Sequence, residues 1–567
     1  MFIKSIIIKN FKCFGNEPTS IEFSLPDNKN KGSGFNILIG ENNTGKSTVF
    51  EAIDFLRSGT KKEIKDIKNK NTTSDDIILV EIIFSGNVSE IIDAFSQINK
   101  VDVFKKYIYT IDDTEYFRLC RSSEDIKAIH LWNNDLSKYK NESGIDAPLK
   151  KIFETNFVWA DTNPNDQISF GSTTLCGNLL KEIIIKFTET DDYKNFSEEF
   201  NKTFNSDDSG LRKELKIIEK RTQEIFSEQF GSATISFHFD ELKVDSFFKN
   251  TKIEIDDGIS TYVEEKGSGM QRSIALALLQ VYAEELIKHP DNDAIKKPFF
   301  LFIDEPEICL HPQAQKKLNN ALLELSKNQQ IFIATHSPYY CLPNLIEKIH
   351  RFSINSNSEI KIYNLKDIDI KNKLVKGENR YFFFRHRDIF FTNFAIIVEG
   401  VEDYERYMKY CEINNFEPLF DHFYMMNGCD HTIFFENLCK TMGINFYAIV
   451  DKDFSIQRSK WIRKNKQRTI NAIKQFINDK KIAFDSEKFD IEMQNDLKQE
   501  TRRTDERETE DFISNNVVLS KVKDKNIFVL KYGEVTDYLD KDGIILEDDK
   551  DKKEELYAIF TYIKTKI

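Results

Sequence analysis

Phe35-Asn36-Ile37-Leu38-Ile39-Gly40-Glu41-Asn42-Asn43-Thr44-Gly45-Lys46-Ser47-Thr48 reads as an apolar strand, a glycine turn and the start of a helix. From Gly40 to Ser47 it fits G-x-x-x-x-G-K-[ST], placed between strand and helix as that motif requires. Gly40 and Gly45 let backbone N–H groups wrap phosphate oxygens. Lys46 neutralises the β and γ charges, and Ser47 offers a hydroxyl to Mg²⁺ at the positive end of the helix. Asn43 and Thr48 complete the expected nucleotide-binding set, and the expected ligand is ATP.

Working outward, strands are expected at Ser5 to Lys9 and Ile21 to Phe23, and a helix from about Ser47 to Leu56. Alternating runs such as Ile77-Ile78-Leu79-Val80-Glu81-Ile82-Ile83-Phe84 predict further strands between Asp76 and about Trp159. From Gly177 to Gly231 the spacing turns helical, broken by the turn-like Asn205 to Gly210, which predicts an inserted helical hairpin. Strands are expected again at Ala233 to Phe239, Lys252 to Ile255, Phe299 to Ile303 and Ile331 to Ala334. Helices are expected at Met270 to Ile287 and Pro312 to Leu325. That alternation implies a parallel α/β sheet. A second βα series begins at Phe394, with a domain boundary near Asn379 to Asp388.

Phe299-Phe300-Leu301-Phe302-Ile303-Asp304-Glu305 is an apolar strand ending in two carboxylates. Beside Lys46, Asp304 suits the magnesium shell, and Glu305 suits the water that attacks a γ-phosphate. The strand before Thr335-His336-Ser337 delivers His336 to the same sheet edge, where it is read as a γ-phosphate contact. Lys266-Gly267-Ser268-Gly269-Met270-Gln271-Arg272 offers one more helix start for phosphate. At this point residues 1 to 350 resemble the ABC-type ATPases related to the Rad and SMC proteins. That resemblance implies that Ser268 and Gly269 bind the nucleotide held by a second subunit, with Glu305 to Pro312 leading to the dimer seam.

The later strand Phe394-Ala395-Ile396-Ile397-Val398 ends in Glu399-Gly400, and Asn445-Phe446-Tyr447-Ala448-Ile449-Val450 ends in Asp451-Lys452-Asp453. In a parallel sheet such carboxylates gather on one edge, as hard ligands for Mg²⁺ or Mn²⁺. The pair of motifs resembles the Toprim domain of topoisomerases, primases and some nucleases. Asp403 matches a second acid of the nuclease versions. Leu530 to Leu539 resembles their last acidic motif, with Thr536 where the second Glu stands, so either Glu534 or Asp537 is left to supply the late ligand.

An ABC-type ATPase followed by a Toprim domain resembles the OLD (overcoming lysogenization defect) nucleases, whose relatives include the Gabija nuclease subunit and retron-associated effectors. The resulting expectation is an α/β chain. An ABC-type P-loop ATPase occupies 1–176 and 232–380, a helical dimerisation insertion 177–231, and a Toprim nuclease 381–567. The resemblance implies metal-dependent DNA cleavage gated by ATP, catalytic roles for Glu305, Glu399, Asp451 and Asp453, and a function in anti-phage defence. Implied partners are DNA, a second copy or higher homo-oligomer, and a defence-system protein or retron complex. The competing expectation is an ATP-driven clamp or repair scaffold that binds DNA without cutting. Strand passage and primer synthesis rank last, since no tyrosine nucleophile or zinc module accompanies the Toprim-like part.

Composition narrows the partners. The chain has 567 residues, and its 80 basic against 93 acidic residues give a net charge of −13, so any DNA-binding surface is local. The run Arg458 to Arg468, with six basic residues, no acid and one aromatic, is the first candidate for it, and Lys371 to Arg387 the second. Eight scattered cysteines without zinc spacing fit reduced thiols. No run of 18 apolar residues suggests a membrane span, so the expected location is the cytoplasm.

Overall fold

Long apolar runs become sheet strands in the computed structural model of the chain. It describes residues 1–160 apart from 74, 95–99 and 154; 187–230 apart from 189, 205, 207 and 208; 234 and 236; 252–278 apart from 268, 269, 272 and 276; 281; 300–451 apart from 309, 356–358, 367–369, 371, 373, 375–378, 427, 429 and 430; and 526–566 apart from 531, 547 and 548. The first sheet is antiparallel, built from β1 (Phe2–Lys9), β2 (Thr19–Glu22), β4 (Leu79–Ser85), β5 (Tyr109–Ile111), β6 (Thr114–Ser122), β7 (Asp125–Asn133) and β8 (Lys138–Asn141). Its order is β2-β1-β4-β6-β7-β8, with β5 pairing β6.

The central sheet contains β3 (Phe35–Gly40), β9 (Thr155–Val158), β12 (Phe300–Asp304), β13 (Gln330–Ala334), β14 (Ile349–Ile354) and β15 (Ile360–Asn364), in the order β15-β14-β3-β13-β12-β9. All its pairings are parallel except β14 with β15. Both faces are covered, which is why β3, β12 and β13 read as unbroken apolar runs. Leu38, Phe302 and Phe332 face one core together with Val49, Phe50 and Ile53 of α1 (Lys46–Ser58) and with Ile6, Ile8 and Ile82 of the antiparallel sheet. Ile37, Ile303 and Ile333 face the opposite core with Leu318 and Leu322 of a helix running from Pro312 to Leu325. Gln330 pins the two N-terminal sheets together: its side-chain amide accepts from Ile3 N at 2.8 Å and donates to Ile3 O at 2.7 Å.

Between β9 and β12 the described residues include the helices α2 (Asp191–Phe204) and α3 (Gly210–Phe230), at the expected hairpin. The strand expected over Lys252 to Ile255 instead belongs to a two-stranded ribbon, β10 (Glu254–Asp256) with β11 (Ser260–Tyr262), and does not join the main sheet. The strand expected at Ala233 to Phe239 and most of the helix expected to reach Ile287 lie outside the described residues. The Pro312–Leu325 helix, α4, matches its expected span.

The C-terminal sheet is wholly parallel, in the order β17-β16-β18-β19, with β16 (Phe394–Val398), β17 (Phe423–Met425), β18 (Asn445–Val450) and β19 (Ile527–Val529). One face, carrying Ala395, Ile397 and Ala448, shares its core with Ile37, Ile303 and Ile333 of the central sheet and with α6 (Thr432–Thr441). The other face, with Ile396, Val398 and Ile449, packs on α5 (Val401–Ile413) and α7 (Lys550–Lys564). Among the described residues, no helix is long and apolar enough to cross a membrane.

Candidate functional site

β3 hands the chain to α1 through a turn only glycine suits at its two ends. Gly40 has φ +142°, and a Cβ there would lie 2.3 Å from the Phe352 carbonyl oxygen on neighbouring β14. Gly45 has φ +100°, with Ile360 and the Cys13 sulfur 2.8 and 2.9 Å from where its Cβ would be. Asn43 also takes a left-handed φ of +64°. Lys46 folds back over this turn and donates to Gly40 O at 2.9 Å and Glu41 O at 2.7 Å. Burial lowers its pKa to about 8, against the pull of Glu305, Asp304, Glu307 and Glu41 around it.

Ser47 Oγ donates to Asp304 Oδ1 at 2.8 Å, joining the start of α1 to the end of β12. Glu305 leaves that strand with φ +48° and its N–H donates to Ala334 O at 2.8 Å, so the acidic turn is stitched to β13. His336 follows β13; burial lowers its pKa, Lys46 adds to the shift and Glu305 opposes it. Thr48 lies in the first turn of α1. Lys46, Ser47, Asp304, Glu305 and His336 therefore meet at the C-terminal edge of one parallel sheet, where α/β sheets hold ligands. Ser268 and Gly269 lie outside the described residues.

A second edge forms in the C-terminal sheet. Glu399, at the end of β16, accepts through Oε1 from Asp451 N at 2.9 Å, and Asp451 Oδ1 accepts from Val535 N at 3.2 Å. Two strand ends and the turn after β19 are thereby drawn together. Asp403 caps α5 by accepting from Gly400 N at 2.7 Å, and Asp537 accepts from Glu534 N at 2.9 Å in the same manner. Burial raises the Asp403 pKa to about 6; the bond from Gly400 opposes this, and Glu402 and Glu534 add to it. Beneath the acids, the buried Tyr407 hydroxyl is held protonated far above its usual range by burial first, then by Asp403, Asp451 and Glu399.

The donors here are all carboxylate oxygens crowded by like charge, the chemistry that suits a hard divalent cation. Among the described residues, no three His, Cys, Asp or Glu side chains are already arranged as a metal cage. Asp453 lies outside the described residues, as does the basic run Arg458 to Arg468. Arg387, from the second basic candidate, lies over the rings of Tyr339 and Phe384 at 5.4 and 5.8 Å.

Sequence reasoning passes over three polar residues that organise these edges. Glu307 is half-buried behind the acidic turn and accepts hydrogen bonds from Thr335 and His336. Arg351 on β14 is 1% exposed and donates to the carbonyls of Phe390, Thr392, Met442 and Gly443 and to Asn393 Oδ1, at 2.6–3.2 Å. Asn393 in turn donates to the Glu41 carboxylate in the phosphate loop. A charged residue inside an apolar strand was the available signal for Arg351.

The family described as AAA ATPase domain matches residues 1–233 and 149–341. The Old nuclease of Escherichia phage P2 is 27% identical over 319 residues, covering 53% of this chain and 53% of its own length. Endonuclease GajA of Bacillus cereus (strain HuB5-5) is 22% identical over 575 residues, covering 85% of this chain and 81% of its own. The OLD nuclease of Thermus scotoductus (strain ATCC 700910 / SA-01) is 24% identical over 246 residues, covering 41% and 43%. The chain thus spans 53% and 43% of the length of these two OLD-type relatives and 81% of GajA.

Proposed function

The chain belongs to the AAA ATPase domain family, and from that premise we propose that it is an ATP-gated, metal-dependent DNA endonuclease of the OLD type, acting in anti-phage defence. The observation that carries this reading is the Glu399–Asp451–Val535 chain, which gathers acids on the C-terminal edge of a second parallel sheet that shares a core with the first. Nuclease names among its relatives support the same reading.

At the first edge, Lys46 exchanges the carbonyls of Gly40 and Glu41 for β- and γ-phosphate oxygens. Ser47 and Asp304 would hold Mg²⁺, Glu305 orients the attacking water, and His336 addresses the γ-phosphate. Ser268 and Gly269 of a second copy close over the same nucleotide, and the hairpin α2–α3 holds the two copies together. At the second edge Glu399, Asp451 and Asp453 would hold Mg²⁺ or Mn²⁺, with Asp403 and Glu534 or Asp537 beside them. A divalent ion there supplies water activation and offsets charge on the leaving oxygen of a phosphodiester. Residues 1–176 and 232–380 form the ATPase, 177–231 the dimerisation insertion and 381–567 the Toprim nuclease. The Arg458 to Arg468 run meets the DNA backbone.

Plasmid nicking with Mg²⁺ or Mn²⁺, with and without ATP, tests the proposal. Chelation is expected to abolish cutting. Glu399→Ala and Asp451→Ala should each lose nicking by roughly 100-fold or more while ATP hydrolysis persists, because Lys46, Asp304 and Glu305 stand on the other sheet. Wild-type cutting by both variants refutes it. The engagement of Asp403 and Asp537 as helix caps favours a second reading, a DNA-binding clamp, for which the wild-type chain binds plasmid but never nicks it.

A further inference from the structure

The turn that carries Asp304 and Glu305 continues to Glu307, whose half-buried side chain folds back toward the turn after β13. Both of its oxygens are used: Oε2 accepts from Thr335 Oγ1 at 2.7 Å, and Oε1 accepts from the backbone N–H of His336 at 2.5 Å. Thr335 Oγ1 also accepts from Ser337 N at 2.9 Å, which tightens the turn that presents His336. Ser337 Oγ then donates to Gln315 Oε1 at 2.7 Å, and Gln315 Nε2 donates to Leu310 O at 2.9 Å. The network closes on itself: acidic turn, His336 turn, helix α4, and back to the acidic turn.

Holding β12 to β13 does not require this carboxylate. The two strands pair in register from Phe300↔Gln330 to Asp304↔Ala334, and Glu305 N adds a further bond to Ala334 O at 2.8 Å. Taking a carboxylate even partly out of water is costly, and that desolvation pushes the Glu307 pKa up. An apolar side chain would fill the space without that cost. What an apolar side chain cannot do is accept the N–H of His336 itself and the hydroxyl of the residue before it, fixing two consecutive positions of one turn.

We propose that Glu307 is a positioning residue for ATP hydrolysis: its two oxygens lock the Thr335–His336 backbone so that the His336 imidazole is held toward the γ-phosphate. The proposal rests on the reading of His336 as the γ-phosphate contact. Both Glu307 oxygens are taken up by Thr335 and His336 rather than pointed at the phosphate loop, so its removal is expected to act mainly on turnover rather than on binding.

The test is steady-state ATP hydrolysis and equilibrium nucleotide binding by the full chain. Glu307→Ala is expected to lower kcat roughly 10- to 100-fold with KM changed by less than about twofold, as for a misplaced catalytic group. Glu307→Gln, which keeps one acceptor and the shape, should recover a large part of the loss. Thr335→Val, which deletes one of the two bonds to Glu307 together with the bond from Ser337 N and opens no cavity, should also slow turnover with KM nearly unchanged and serves if the alanine variant does not fold. The double variant Glu307→Ala/His336→Ala should be no slower than His336→Ala alone, since both act through one imidazole. A wild-type rate in His336→Ala overturns the γ-phosphate reading. A slowed His336→Ala beside wild-type turnover in Glu307→Ala, or losses that multiply in the double variant, overturns the positioning role alone.

Discussion

Lys46 keeps its ammonium against two carbonyls of its own loop, and this contact makes its charge depend on pH near neutrality. Burial sets its pKa at about 8 in the free protein, and phosphate oxygens favour the charged form and raise it. Between those two values binding takes up a proton, so affinity falls as pH rises. ATP Kd is expected to climb by up to about tenfold per pH unit above pH 8, measured by equilibrium binding. Lys46→Arg, always charged, should give a flat profile in the same range; a wild-type profile that is flat as well contradicts the assignment.

The central sheet hides polar residues inside strands, and β14 shows what that does to stability. His350 is buried against Phe23, its Nε2 has no hydrogen-bond partner among the described residues, and burial lowers its pKa to about 4. The unfolded chain takes up a proton near pH 6.5 that the folded chain refuses until about pH 4. The His350 contribution is thus intact above pH 6.5 and is lost as pH falls toward 4. Urea denaturation should show His350→Phe losing about 1–3 kcal/mol less than wild type between pH 7 and pH 4.5. Equal losses in both would mean that the ring is reached by water.

The same strand explains what was legible beforehand. β3, β12, β13, β16 and β18 are mostly apolar runs because parallel sheets bury both faces, and the polar residues that follow them gather at the C-terminal edge of each sheet, Lys46, Asp304 and His336 on one and Glu399 and Asp451 on the other. β14 escaped notice because His350 and Arg351 interrupt its apolar run, and β15 because it is a short, partly exposed edge strand broken by Lys361. Glu307 escaped because its role depends on Thr335 and His336, 28 and 29 residues away. The capping use of Asp403 and Asp537 escaped because a strand-end acid looks alike whether it serves a helix or a metal.

At the scale of the whole molecule, Arg351 is the fastener between the two parallel sheets. Four of its five acceptors are backbone carbonyls of the C-terminal part, so its removal strands them without water. Arg351→Ala should cost about 3 kcal/mol or more, since each buried carbonyl left unpaired costs about 1–3 kcal/mol. It should also split denaturant unfolding into two transitions, an early one for the C-terminal sheet and a later one for the ATPase sheets, followed by circular dichroism. A single transition at the wild-type midpoint would show that apolar packing alone unites them.

The core shared by the two parallel sheets has a consequence for how the chain is made. Ile37 and Phe435 belong to one buried cluster. On the ribosome, at about 5–20 residues per second, the partner of Ile37 emerges roughly 20–80 s later. Throughout that interval the completed N-terminal strands present an uncovered greasy face in a crowded cell, just where parallel pairings are also slow to form. Holding chaperones should therefore find their strongest grip on the half-made chain, after β13 has emerged and before α6 has, and a ribosome stalled in that window should yield the most aggregation-prone nascent product.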